Sequence, residues 1–348
     1  MTLDLPLIWA GVLALAVLLY VMLDGFDLGI GILFPFAADA GERDTMMAAI
    51  APVWDGNETW LVMGGGGLMI AFPTAYAILM PAFYLPVILM LMGLILRGVA
   101  FEFRLHGRGR GKAFWTAAFF GGSLVAALAQ GFVLGGFIQG VKVADDSFIG
   151  QPFDWATPYT LVVALGLVAG YVLLGGGWLV IKTDGALHER ARRWIQKAAV
   201  AVGVILAVVS MATLFIHPVV ALRWGVGPQS GGALGVDQLR LLPLLPIPLM
   251  GLVGLMMAFF GARSREAHAH ASLIGGFLAF ISGYFGLAVG FMPFIVPYAV
   301  TYEQAASSPQ ALTLMLIGVA ILLPFILGYS AWVYWIFRGK VVSGAPYH

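Results

Sequence analysis

Apolar residues run along this chain in long blocks, separated by short clusters of charge, proline and glycine. A helix needs roughly 20 apolar residues to cross about 30 Å of hydrocarbon at about 1.5 Å per residue. Nine blocks satisfy that length, at 6–36, 52–72, 75–103, 113–139, 157–181, 197–218, 241–261, 270–296 and 311–337. The pattern predicts an all-α polytopic membrane protein of nine transmembrane helices, a single integral membrane domain over 1–348. The second block is the least uniform. It opens on the polar run Pro52-Val53-Trp54-Asp55-Gly56-Asn57-Glu58-Thr59-Trp60, and only from Leu61 is it clearly suited to lipid. Pro52 is expected in its first helical turn, where a missing N–H costs nothing. The first block is too long for a signal peptide and lacks a basic leader and a small-residue cleavage site, so it reads as a retained helix. The longest connections, near 140–156 and 219–240, are too short to bury a core of their own.

Composition narrows the class further. Hydrophobic residues make up 61% and charged residues 10%, against about 25% charged in a soluble domain, and the mean hydropathy is +0.96. A water-soluble monomer is excluded. With no cysteine, so are disulfide scaffolds and zinc-thiolate sites. Eighteen basic against 17 acidic residues leave a net charge of +1 and no sign of a nucleic-acid surface. With the N-terminus outside, the cytoplasmic segments hold nearly all Lys and Arg; Lys142, Arg223 and Arg240 lie outside and Arg97 within a span. The positive-inside rule therefore predicts a cytoplasmic C-terminus.

The few charges inside the spans carry the chemistry. Asp24 and Asp27 lie in the first span, Asp55, Asn57 and Glu58 at the opening of the second beside Trp54, and Arg97 and Glu102 towards the end of the third. Each ionisable group within a span costs about 2.5–3.5 kcal/mol on insertion scales and so needs a partner, water or a function. The connection at Phe72-Pro73-Thr74 is very short, which makes the second and third spans antiparallel neighbours and brings Arg97 level with the Asp55/Glu58 turn. Five carboxylates against one arginine leave a surplus of negative charge, which burial resolves by sharing protons. That is what a proton relay requires. Two other readings stay open. One is a structural salt-bridge cluster, most attractive for Glu102 and less so for Asp27, in a purely structural membrane subunit; the other is a secondary transporter or cation channel using the same carboxylates.

Histidines argue against a haem or metal held by this chain. His106, His188, His268, His270 and His348 fall on the cytoplasmic side, His217 sits at an outer helix end, and no pair faces across the membrane. The 15 methionines are expected to be core filler rather than iron ligands. Gly64–Gly67 and Gly175–Gly177 have no Lys-Ser/Thr after them, so they read as close helix contacts rather than phosphate loops. The run from Arg104 to Lys112 reads as a cytoplasmic anchor that meets anionic lipid heads.

Two stretches carry a resemblance. Leu23-Asp24-Gly25-Phe26-Asp27-Leu28-Gly29-Ile30-Gly31, followed by Ala51-Pro52-Val53-Trp54-Asp55-Gly56-Asn57-Glu58-Thr59-Trp60-Leu61, resembles subunit II of the bd-type quinol oxidases, the cyanide-insensitive type included. Arg97, Phe291-Met292-Pro293-Phe294 before Pro297, and Tyr329-Ser330-Ala331-Trp332-Val333-Tyr334-Trp335 extend the likeness over essentially the whole chain. Glu58 stands where some members carry Gln, which adds a carboxylate. The resemblance implies an enzyme subunit in a bacterial inner (cytoplasmic) membrane, built as two four-helix bundles plus one peripheral helix. Its complex couples quinol oxidation at the outer face to reduction of O2 to water. Two b-type haems, one d-type haem and the main quinol site are expected in the partner, subunit I. Small single-span accessory subunits are further candidate partners, and a structural quinone or lipid in this subunit is left open. The present chain is expected to supply a cytoplasmic proton path through Asp55, Glu58, Asp24 and Asn57, supported by Arg97, Asp27, Glu102 and Trp54.

Overall fold

The computed structural model describes residues 4–228, 234–264 and 269–341. His268 and His348 of the sequence reading lie outside them. In chain order the helices are α1 (Leu5–Leu33), α2 (Ala40–Ile50), α3 (Trp54–Ala71), α4 (Pro73–Ala82), α5 (Tyr84–His106), α6 (Arg110–Gln139) and α7 (Pro158–Lys182). They continue with α8 (Gly185–Ile216), α9 (Pro218–Arg223), α10 (Gln238–Leu241), α11 (Pro246–Arg263), α12 (Ala269–Phe291), α13 (Tyr302–Ala305) and α14 (Pro309–Ile336). Among the described residues eight helical segments are long and apolar enough to cross a membrane. The segment α3 is not among them, because Asp55, Asn57 and Glu58 occupy its first turns. Three short antiparallel hairpins sit in the connections, pairing Val143–Ala144 with Ser147–Phe148, Val226–Pro228 with Leu234–Val236, and Phe294–Val296 with Val300–Thr301.

Packing divides the long helices. Helix α1 lies against α3 and α6, and α5 against α6; α7 lies against α8 and α12, and α11 against α8 and α12. The two sets meet where α7 packs on α1 and α6. Glycine makes that seam possible: a Cβ at Gly29 would stand 1.8 Å from the Tyr171 carbonyl oxygen. Gly175, Gly176 and Gly177 likewise face Gly29, Ile195 and Leu273, the close contacts expected of that run. Gly65 and Gly66 do not follow the expectation, for nothing lies within 4 Å of a Cβ at either. Helix α14 lies at the edge, touching α1 and α3, and is fastened near its ends. Trp9 Nε1 donates to the Leu312 carbonyl at 3.0 Å at one end. At the other, Tyr334 donates to Asn57 Oδ1 at 2.6 Å, and Lys182 Nζ donates to the carbonyls of Phe337 and Gly339.

Several boundaries differ from the hydropathy reading, each for a physical reason. The block 75–103 is broken at Phe83, where Pro86 cannot donate to the preceding turn, so α4 and α5 replace one helix. Pro52 precedes α3 rather than opening it. The block 270–296 ends as a helix at Phe291, just before Pro293. Helix α8 begins at Gly185, not near 197, because Ala, Leu, Glu and Arg are good helix formers that carry the helix out past the lipid. There Arg192 donates to the carbonyls of Ala262, Arg263 and Ser264, closing the C-terminus of α11. Helix α2 has too little apolar length to register as a span. It is capped by Asp39, which accepts from Glu42 N at 2.9 Å, and buries Met46, Met47, Ala49 and Ile50.

Candidate functional site: an arginine-carboxylate cluster between α1, α3 and α5

From Asp24 to Phe34 every residue of α1 and the turn after it is buried, so both aspartates of the first span are sealed inside the protein. Asp24 and Asp27 are 0% exposed. Opposite them, α5 presents Arg97, itself 2% exposed, and its guanidinium divides between two helices. Nη1 donates to Asp24 Oδ1 at 2.6 Å and Nη2 to Glu58 Oε2 at 2.7 Å. Asn57, on the turn of α3 that carries Glu58, donates from Nδ2 to Asp27 Oδ2 at 2.8 Å while its Oδ1 accepts from Tyr334. Trp54 lies beside the guanidinium, its ring centroid 5.9 Å from Arg97 Cζ, and packs on Phe101. Two acidic side chains thus share one arginine and Asp27 is tied to the group through Asn57; among the described residues Asp24 Oδ2, Asp27 Oδ1 and Arg97 Nε have no hydrogen-bond partner.

The cluster opens on one side. Glu58 is 28% exposed, and Asp55, one turn earlier on α3, is exposed with no hydrogen bond or ion pair of its own among the described residues. As an acidic residue in a first helical turn, Asp55 sits favourably in the helix dipole. On the closed side, one turn before Asp24, Tyr20 continues the polar atoms into the packed interior. Gln130 of α6 donates to the Tyr20 hydroxyl at 2.6 Å and accepts from Tyr171 of α7 at 2.6 Å.

Of the residues singled out in the sequence, Asp24, Asp27, Asn57, Glu58, Arg97 and Trp54 meet in one place. Asp55 lies at the rim. Glu102 does not join them: its side chain is exposed, and only its backbone carbonyl is engaged, by His106. Tyr20, Gln130 and Tyr171 were not visible from the sequence, since a Tyr or Gln in an apolar helix has no distinguishing neighbour in the chain, and Tyr334 stood out only as part of the closing stretch of the resemblance.

Arg104 was read as part of a lipid anchor, but it is 1% exposed. Its Nη1 donates to Asp44 at 2.6 Å and to Met47 Sδ at 3.3 Å, its Nε donates to Thr116, and its guanidinium lies over Phe34. Lys112 also reaches Asp44, at 3.3 Å. The exposed charges of that run are Arg108 and Arg110.

Among the described residues no three His, Asp or Glu side chains come together to hold a metal ion. His217 is engaged otherwise, its Nδ1 accepting from Val219 N at 3.3 Å and its ring stacked 3.9 Å from Tyr298. Burial pushes the Tyr298 hydroxyl up to about 12. A cavity of about 220 Å³ lies elsewhere, walled by Phe83, Phe148 and Trp155 with the Lys142–Asp154 ion pair among its lining.

Comparison with known proteins gives the family. The family model for cytochrome bd terminal oxidase subunit II matches residues 5–337. Cytochrome bd-I ubiquinol oxidase subunit 2 of Escherichia coli (strain K12) is 30% identical, over 97% of this chain and 96% of the relative. Cytochrome bd ubiquinol oxidase subunit 2 of Bacillus subtilis (strain 168) is 27% identical over 97% of both chains. A chain of the bd oxidase structure from Geobacillus thermodenitrificans shares the fold at a TM-score of 0.71 and 12% identity, covering 96% of this chain and 98% of that one. A multi-pass helical membrane protein whose sequence matches that model almost end to end belongs to the cytochrome bd terminal oxidase subunit II family, and is a subunit of an oxidoreductase.

Proposed function

We propose that this chain is the subunit of a quinol oxidase that ligates no haem itself and brings protons from the cytoplasm to a haem-bearing partner. The partner, subunit I, holds two b-type haems and one d-type haem and oxidises quinol; small single-span subunits and membrane lipid complete the assembly in the bacterial inner membrane. In this reading α3 is a ninth span in addition to the eight apolar segments, with α4 and α5 together forming the third. The helix sets around α1 and α7 are two four-helix bundles, and α14 is the peripheral helix. The N-terminus faces outward and the C-terminus the cytoplasm. A reporter fused after Lys340 is then cytoplasmic, and one near Asp145 or Glu303 is outside; a reversal of either overturns the orientation and the side from which protons enter.

The observation that carries the proton path is the graded exposure of its carboxylates. Asp55 is exposed, Glu58 is 28% exposed and bonded to Arg97, and Asp24 is 0% exposed on the other arm of the same guanidinium. Asn57 ties Asp27 into the same group. Reduction of O2 consumes protons at a buried centre, and apolar helices admit no bulk water, so titratable groups have to bridge the two. Asp55 is the entry carboxylate, Glu58 and Asp24 the inner stations, and Arg97 balances their charge.

Asp55→Asn keeps shape and most hydrogen bonding but cannot exchange a proton. In the purified complex it is expected to lower oxygen reduction by about one to two orders of magnitude, the scale of a lost general acid-base group, with the haem spectrum unchanged. Wild-type turnover with a normal spectrum moves the entry to another carboxylate or to the partner. Loss of the haems makes Asp55 structural and favours a scaffold role for the chain.

A further inference from the structure

The cavity of about 220 Å³ belongs neither to the arginine-carboxylate cluster nor to the path proposed through it. It lies where the break between α4 and α5 at Phe83 meets the end of α6 at Gln139 and the approach to α7 at Thr157, and the connection 140–156 supplies the rest of its wall. Sites for drug-sized ligands measure about 300–1,000 Å³, so this one suits a compact head and not an extended chain. Lys142 and Asp154 pair in its lining at 2.9 Å and are 66% and 36% exposed, which leaves both charges within reach of a ligand. The Lys142 ammonium and the Gln151 N–H hold the Asp154 carboxyl below the usual carboxylate range, so it stays ionised. Among the described residues the Lys142 ammonium has no other acceptor and keeps donors to spare. Gln139 accepts the Thr157 hydroxyl hydrogen on Oε1 at 2.9 Å, and its amide N–H groups donate to nothing among the described residues. Trp155 spends its own N–H on the Pro152 carbonyl at 2.8 Å, so with Phe83 and Phe148 it offers the cavity only ring surface.

A bare anion in this cavity would meet Asp154, and a bare cation would meet Lys142. A molecule that carries both charges meets each with its opposite: a phosphate takes hydrogen bonds from Lys142 and Gln139, and an ammonium takes Asp154 and the aromatic faces, which attract cations. The same connection exposes Ile149 at 59% and Phe153 at 66%, large apolar side chains that are at ease in lipid and not in water. The membrane, and not the aqueous phase, is therefore the source of the ligand. We propose that the cavity binds the zwitterionic phosphoethanolamine head of a membrane lipid, with its phosphate on Lys142 and Gln139 and its ammonium on Asp154, while the acyl chains stay in the bilayer. The proposal is independent of the proton path, and rests on the proposed orientation only in assigning the lipid to the outer leaflet.

Native mass spectrometry tests it on the complex purified with its partner and held in nanodiscs of phosphatidylethanolamine, by counting the lipids each complex retains. Lys142→Gln and Asp154→Asn are each expected to retain one phosphatidylethanolamine fewer than wild type at full haem content, and to need about tenfold more lipid to recover it, the size of one hydrogen bond to a charged group. Gln139→Leu loses the same lipid to a smaller degree, and decides the matter if the charge variants do not assemble. Phosphatidylglycerol keeps the phosphate and lacks the ammonium, so wild type should retain it less well than phosphatidylethanolamine, and Asp154→Asn should narrow that difference. Equal lipid counts in wild type and all three variants overturn the proposal. Equal retention of the two lipids by wild type makes the cavity a plain phosphate site and overturns the zwitterionic head. Displacement of the retained lipid by free O-phosphoethanolamine at the same concentration makes the ligand a solute and overturns the lipid.

Discussion

Arg97 and Arg104 stand seven residues apart on α5, two turns along one face, and both are nearly sealed, at 2% and 1% exposure. Their partners differ in number and in access. Arg97 faces Asp24 and Asp27, both 0% exposed, and Glu58, so the sum around it is negative. Arg104 shares the single carboxylate of Asp44, 41% exposed, with Lys112, so the sum around it is positive. The first cluster leaves three buried polar atoms without partners; the second spends its arginine on Asp44, Thr116, Met47 and the Phe34 ring. One residue type on one helix therefore does two jobs. Where buried carboxylates outnumber the arginine, the site keeps a surplus of negative charge, which is what the proposed proton path requires. Where cations outnumber an accessible carboxylate, water and salt can balance the charge, and the pair serves to hold α2 and α6 against α5.

That contrast is testable by removing charges in turn. Arg97→Gln strands buried carboxylates without their counter-charge and is expected to have the largest effect, about 3–5 kcal/mol, read as failure of the complex to assemble with haem or as a collapse of its melting temperature. Arg104→Leu leaves Asp44 free to rehydrate; it should cost about 2 kcal/mol, the loss of its hydrogen bonds and packing, with oxidase turnover retained in the complex that forms. If the two variants melted alike, the distinction between sealed and open clusters would fall. Lys112→Ala should have the smallest effect, about 0.5 kcal/mol or less, and melting curves at low and high salt should converge, because the pair is half exposed and screened.

The cluster was legible in the sequence to the extent that it consists of charges in apolar runs. Asp24, Asp27, Glu58 and Arg97 stand out against their neighbours, and the short link at 72–74 brings two of the three helices together. Asp55 and Glu58 sit in the same polar opening of α3, and only the rotation of the helix separates the exposed one from the bonded one. Glu102 was grouped with Arg97 by depth alone, but five residues of helix turn it to the far side. Arg104 and Asp44 were hidden by location: a charge at a helix end reads as a headgroup contact until a neighbouring segment, here α2, covers it. The Tyr171–Gln130–Tyr20 chain was beyond sequence reading altogether, because it depends on three helices meeting at one level.

The fastening of α14 has a mechanical side. Its 28 residues span about 42 Å, against about 30 Å of hydrocarbon, and the 29 residues of α1 are a close match in length. Trp9 pins the two at one end, while Tyr334 and Lys182 tie α14 to α3 and α7 at the other. Between those points Leu314, Ile317, Ile321 and Phe325 are exposed. A helix held at both ends cannot slide to follow a thinner or thicker bilayer; mismatch has to be absorbed by tilting α1 and α14 as a pair or by deforming the lipid around them. Helix α14 is thus a gauge of fixed length, and the inner mark of that gauge is the hydroxyl that holds Asn57 against Asp27.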